Sequence, residues 1–171
     1  VLAYSAYKLN DSVRAKASFD MYFQKQKPAK IGSRDYYTYA DVLLKFPGNE
    51  ALAGTFVEKA VELDSTEAGK VALLKSVAST YEKRLQYADA AEWYKKVLNI
   101  KKSPSKTDIY NAGYSYYRVG MFAPAAEMSE VYTQKYPEDI FGYYMMGKSL
   151  WGIDTVMKYG LANNAFLKSI E

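Results

Sequence analysis

The 171-residue chain carries 18 tyrosines but no cysteine and no histidine, and this limits the chemistry its side chains can do. Without histidine it lacks the usual general base near neutral pH and the commonest metal ligand. Without cysteine it lacks a thiolate nucleophile, thiolate metal sites and disulfides. Carboxylates, amines and phenols remain. Two carboxylate pairs that could share acid and base work, Glu58 with Glu62 and Asp89 with Glu92, stand at helical spacing, where such pairs ordinarily form a solvated face. There is no glycine-rich phosphate loop and no cluster with metal-ligand spacing. These residues point away from an enzyme, and neither a metal nor another cofactor is expected.

The basic pairs Lys95 with Lys96 and Lys101 with Lys102 are short, and 23 basic against 19 acidic residues leave a formal charge of only +4. That bias tolerates an acidic partner without demanding nucleic acid. An aromatic and basic surface can stack single-stranded nucleic acid, which at this charge is a minor alternative. The aromatics carry more weight, because exposed Tyr, Trp and Arg bring large contact area at low rotamer cost, with a polar tip. Whether they act together depends on the elements that present them.

With 49% hydrophobic and 25% charged residues, 10 Gly and 5 Pro, the composition is that of a globular chain. No run approaches 18 uninterrupted apolar residues; even the rich window 140–150 contains Lys148, so no membrane span is expected in this segment. The chain opens on Val1 with no basic and apolar leader pattern, and a processed or excised segment is expected. Lack of cysteine leaves the redox compartment open, with a lean to the bacterial periplasm or cell envelope.

A repeat organises the chain. Ile109, Ala112, Gly113 and Tyr116 recur 34 residues later as Tyr143, Met146, Gly147 and Leu150. Earlier copies read Leu74, Val77, Ala78, Tyr81 and Tyr36, Tyr39, Ala40, Leu43. Each copy puts one very small residue among larger ones on a single helical face. About twelve residues after each small position comes a second face built on a small residue: Ala15, Ala53, Ala90, Ala125 and Ala162. Two antiparallel helices approach closely only where Gly or Ala removes the side-chain spacer, so each copy reads as a helix hairpin.

The boundary signals agree. Ser105 with Asp108 three residues on is a capping-box pattern, Pro124 sits where a first-turn proline is tolerated, and Gly120, Pro47 with Gly48, and Pro137 fall in turns. The spacing predicts about ten helices, near 1–9, 11–26, 33–46, 49–63, 67–84, 87–100, 106–119, 122–135, 139–152 and 157–170. No period-two alternation competes for a strand.

These residues resemble the tetratricopeptide repeat (TPR), whose first helix carries Leu, Gly or Ala, and Tyr, whose second carries Ala, an aromatic and Ala, and whose turn carries Pro. The best copy, 106–139, matches at Gly113, Tyr116, Ala125 and Pro137 and departs at Ser129 and Tyr132. Repeats are expected at about 1–30, truncated, then 33–66, 71–104, 106–139 and 140–171, the last with about three extra residues before Ala162. The resemblance implies an all-α, right-handed superhelix of antiparallel helix hairpins, an α-solenoid spanning 1–171 as a single array and belonging to a longer one.

In this family the first helices line the concave face, so the resemblance implies that their outward residues are the ones to read. These include Tyr37, Leu44 and Lys75, then Tyr110, Tyr114, Tyr117 and Arg118, then Phe141, Tyr144, Lys148 and Trp151. The expected function is a non-enzymatic scaffold holding a protein or peptide partner in this aromatic and basic groove. The positions that would form a chaperone carboxylate clamp hold Lys75, Ser79, Asn111, Phe141 and Met145, so a chaperone C-terminal tail is not the expected ligand. The alternative is a structural module that self-associates through its repeat ends or acts through its convex face. Any single tyrosine could equally pack between neighbouring first helices.

Overall fold

Short polar side chains set where the helices begin. In the computed structural model, which describes residues 2–170, the Ser105 hydroxyl accepts the Asp108 backbone N–H while the Asp108 carboxylate accepts the Ser105 N–H, closing the expected capping box. The Asp11 and Asp139 carboxylates accept the N–H groups of Arg14 and Phe141 at two other helix starts, and Asp35 reaches back to the Gly32 N–H. Helix exits bend at Gly48 and Gly120, whose φ angles of 86° and 76° lie in the left-handed region that glycine adopts without strain.

Between these signals lie α1 (Leu2–Lys8), α2 (Ser12–Lys25), α3 (Ser33–Leu44), α4 (Glu50–Leu63), α5 (Glu67–Lys83), α6 (Tyr87–Ile100), α7 (Lys106–Arg118), α8 (Phe122–Lys135), α9 (Ile140–Ile153) and α10 (Asn163–Lys168). A single 3-10 turn, Pro28–Lys30, follows α2, and no strand occurs among the described residues. The chain divides within α5 into two compact units, Val1–Leu74 and Lys75–Glu171.

In the first unit α1 packs on α2 and α3 on α4. The small positions Ala15, Ala40, Ala53 and Ala60 are fully buried, and Phe19, Leu43 and Val57 fill the space beside them. Phe23 and Phe56 meet edge to face at 5.0 Å, and both contact Tyr39 at the same separation. The tyrosine hydroxyls are satisfied by carboxylates: Tyr4 donates to Asp35, Tyr7 to Asp41 and Tyr39 to Asp20. Leu44, expected to face outward, is buried, because it closes the last turn of α3 over this core.

In the second unit successive helices α6 to α10 pack antiparallel, each on the next. Ala78, Ala90, Ala125 and Ala162 are buried, as are Gly113 and Gly147. A Cβ on Gly113 would lie 3.1 Å from the Met128 Cβ, and one on Gly147 would lie 2.6 Å from the Phe166 ring. These are the close approaches that the small residues permit. The departures at Ser129 and Tyr132 have local answers. The buried Ser129 hydroxyl donates to the Ala125 carbonyl, and the Tyr132 ring occupies space left by Gly142, where a Cβ would lie 2.5 Å from it.

The last helix departs from expectation. It spans Asn163–Lys168 rather than 157–170, because the buried Asp154 carboxylate accepts the backbone N–H groups of Lys158 and Tyr159 and winds the chain into a loop. Met157 and Gly160 take left-handed φ angles of 53° and 62° there, which no helix can continue through. The extra residues noted before Ala162 form this loop.

Candidate aromatic and basic binding face

α7 and α9 present one side of the second unit. On α7, Tyr110 and Tyr114 stand one turn apart and stack at 5.4 Å with planes 21° from parallel. Tyr110 also meets Phe141 of α9 at 5.5 Å, and Phe141 meets Tyr144 at 6.3 Å. Four rings from two helices thus form one connected surface. Phe141, Tyr144 and Trp151 are exposed, Trp151 to 48%, while Tyr110, Tyr114 and Tyr117 are half-buried. Burial pushes the Tyr110 hydroxyl pKa up, helped by neighbouring Tyr114 and Glu82, so Tyr110 stays a neutral donor.

Two cations sit on this surface. The Arg118 guanidinium lies 4.3 Å from the Tyr87 ring centre and 5.6 Å from that of Tyr114, and it donates a 2.9 Å hydrogen bond to the Tyr114 hydroxyl. The Lys148 ammonium lies 5.0 Å from the Tyr117 ring and 5.6 Å from that of Tyr144. Both are within cation–π reach, which fixes two long side chains without neutralising them. Tyr117 itself rests on Phe122 at 5.7 Å.

Eight expected residues, Tyr110, Tyr114, Tyr117, Arg118, Phe141, Tyr144, Lys148 and Trp151, therefore lie on α7 and α9, and all but Trp151 are linked by ring or cation contacts. Tyr37 lies half-buried on α3 of the first unit. Lys75 is engaged elsewhere: its ammonium pairs with Asp108, whose side chain is fully buried. Burial alone would raise the Asp108 pKa, but hydrogen bonds from Lys101, Lys75 and Ser105 outweigh it and hold the carboxyl well below the usual range.

Tyr87 is a member of the face that the sequence reading did not include. It opens α6, a second helix of a hairpin, whereas the expected outward residues all lie on first helices. Its ring holds Arg118 from one side and meets Tyr114 edge to face at 6.4 Å from the other. A tyrosine at the first residue of a second helix, opposite an arginine at the end of the next first helix, is the signal that could have found it.

Beneath Tyr110, Tyr114 and Phe141 runs an apolar slot floored by Ile109, Met128 and Met145. It has room for about 10 Å³, at the lower limit for one water molecule. A deep anchor has no room there. The chemistry open to this face is contact across ring faces, hydrogen bonding by phenols and attraction of anions.

No family model and no curated protein sequence matches the chain. Among solved structures it is similar to the C-terminal part of a TPR repeat-containing protein from Cytophaga hutchinsonii, with a TM-score of 0.62 and 22% identity over 98% of this chain. It spans 63% of that chain's length. It is also similar to MamA AMB-1, with a TM-score of 0.54 and 14% identity over 99% of this chain and 94% of that one. For MamA MSR-1 the TM-score is 0.52 and the identity 13%, over 98% and 90%. The fold is of the tetratricopeptide-repeat type: all-α, built of antiparallel helix hairpins. Among the described residues no helix is long and apolar enough to cross a membrane.

Proposed function

We propose that this chain is a non-enzymatic protein-interaction scaffold, and that the aromatic and basic face of α7 and α9 holds a peptide or protein segment. The connected rings from Tyr114 to Tyr144, flanked by Arg118 and Lys148, carry this reading. Packing between neighbouring helices does not require Phe141, Tyr144 and Trp151 to remain exposed on one side. Fold alone does not assign a function, so the proposal rests on this surface.

The test is a titration with partners isolated from the source cell, comparing Tyr114→Ala and Trp151→Ala with Lys95→Ala, an exposed position on α6. Loss of a true anchor costs about 2 kcal/mol or more of affinity, while the control changes little. Equal weakening by the control would mean that the rings are packing.

A second reading, assembly through a repeat end, is favoured by exposed Leu161, Leu167 and Ile170 around α10. Concentration-dependent association in sedimentation that survives Tyr114→Ala and Trp151→Ala, and is lost in Leu167→Ser, would favour it.

A further inference from the structure

We propose that the segment held on this face is acidic and extended, and that its carboxylates seat on Arg118 and Lys148 while an intervening ring or proline lies on the tyrosines between them. This rests on the binding role proposed for the face and names the chemistry of its partner.

The observation is that, among the described residues, these two cations each lie over two rings, Arg118 over Tyr87 and Tyr114 and Lys148 over Tyr117 and Tyr144. Other cations in the molecule either meet carboxylates, as Lys101 and Lys75 do at Asp108, Lys16 at Asp20 and Lys59 at Glu62, or lie over a single ring, as Lys45, Lys158 and Lys168 do. Arg118 and Lys148 are built into the connected aromatic face, and neither meets a carboxylate among the described residues. A ring quadrupole holds a cation in place but leaves its charge uncompensated. The result is two positioned positive charges with hydrogen-bond donors to spare. Arg118 spends donors on the Tyr114 and Tyr87 hydroxyls, and a guanidinium with five N–H groups keeps others for a carboxylate.

The shape of the face selects against a globular apolar knob. The slot beneath Tyr110 and Phe141 has room for only about 10 Å³, so an apolar side chain must lie on the rings instead of entering between them. Flat side chains on an extended backbone suit that geometry, since rings and proline present broad faces at low entropic cost. Uncompensated cations beside the rings add charge complementarity, which steers the encounter and rejects basic partners.

The probes are the random copolymer of Glu and Tyr, the random copolymer of Lys and Tyr as its charge-opposed counterpart, and oligothymidine. Each is titrated against the 171-residue chain by fluorescence anisotropy at low and high salt. The Glu and Tyr copolymer is expected to bind with an affinity that falls with salt, and the Lys and Tyr copolymer is not. Arg118→Gln and Lys148→Gln should each weaken binding about tenfold, whereas Lys148→Arg, which keeps the charge, should retain it. Circular dichroism melts of all variants establish that they remain folded.

Three results would overturn the proposal. The first is no binding of the Glu and Tyr copolymer at low salt. The second is equal binding of both copolymers that is lost in Tyr114→Ala but kept in Arg118→Gln, which removes the acidic partner and leaves the aromatic face standing. The third is tighter binding of oligothymidine through Arg118 and Lys148, which assigns the cations to nucleic acid.

Discussion

The Lys101 ammonium donates a 2.6 Å hydrogen bond to the fully buried Asp108 carboxylate, which ties the end of α6 to the first turn of α7. Lys75 of α5 reaches the other carboxylate oxygen, and Ser105 closes the cap, so one aspartate joins three helices. The acid-side stability of the second unit follows from it. The Asp108 carboxyl is held below the ordinary carboxylate range in the folded protein, so the unfolded chain takes up that proton first, near pH 4. The stabilisation is complete above that pH and is lost as pH falls below it. Urea unfolding at neutral pH and at pH 3 should show this loss, with a smaller pH dependence in Asp108→Asn. At neutral pH Asp108→Asn should itself cost about 3 kcal/mol, the lower end for a broken buried pair, because both lysines retain access to solvent.

Tyrosine hydroxyls impose the opposite limit. Tyr4, Tyr7, Tyr116 and Tyr132 are pushed up to about 12 from an ordinary value of 10.0, first by burial and then by the carboxylates to which they donate. The folded chain therefore holds those protons after the unfolded chain has released them. Their contribution is intact below pH 10 and disappears as pH rises towards 12. Tyrosinate absorbance followed with helical ellipticity should show these protons leaving together with the loss of helix. Replacement of Tyr116 and Tyr132 by Phe should weaken that coupling.

Gly113 should tolerate no large side chain. Its Cβ would start 3.1 Å from the Met128 Cβ, with the Ala125 carbonyl 3.8 Å away, so the α7 and α8 backbones would have to part. Gly113→Leu is expected to destabilise the protein by about 1 to 3 kcal/mol or more, read as a lowered melting temperature. An unchanged melt would mean that the two helices do not meet there.

The Ser115 hydroxyl is fully buried on α7 and finds no hydrogen-bond partner among the described residues. Its counterpart one repeat on, Ser149, donates to the Met145 carbonyl. Ser115→Ala removes the unpaired group and adds helix propensity, so it should be neutral or stabilising by about 1 kcal/mol. Ser149→Ala, which breaks a formed bond, should not stabilise the protein in the same chemical unfolding experiment.

The helices were legible in the sequence because their signals are local. The spacing of Ile109, Ala112, Gly113 and Tyr116 marks a face within about two turns of backbone, and the Ser105 and Asp108 cap spans four residues, so neither depends on distant parts of the chain. The same holds for the membership of the face on α7 and α9, since residues three and four apart on one helix must share a side. Where a local signal is overridden, as at Asp154, the periodic pattern runs on through a segment that the carboxylate has turned into a loop.

The tertiary structure alone decided which charges on the chain's first helices are spent. Nothing in their spacing distinguishes Lys75 from Lys148, since each stands on a first helix at an outward position. Only the arrival of Asp108 from α7 neutralises the first, and only the Tyr117 and Tyr144 rings leave the second charged. Likewise Tyr4 and Tyr7 spend their hydroxyls on Asp35 and Asp41, while Tyr110 and Tyr114 stack on one another. Helical periodicity determines the direction in which a side chain points, but its partner comes from another helix some thirty residues away. That choice depends on how closely two backbones approach, which the small residues and bulky rings set jointly in three dimensions.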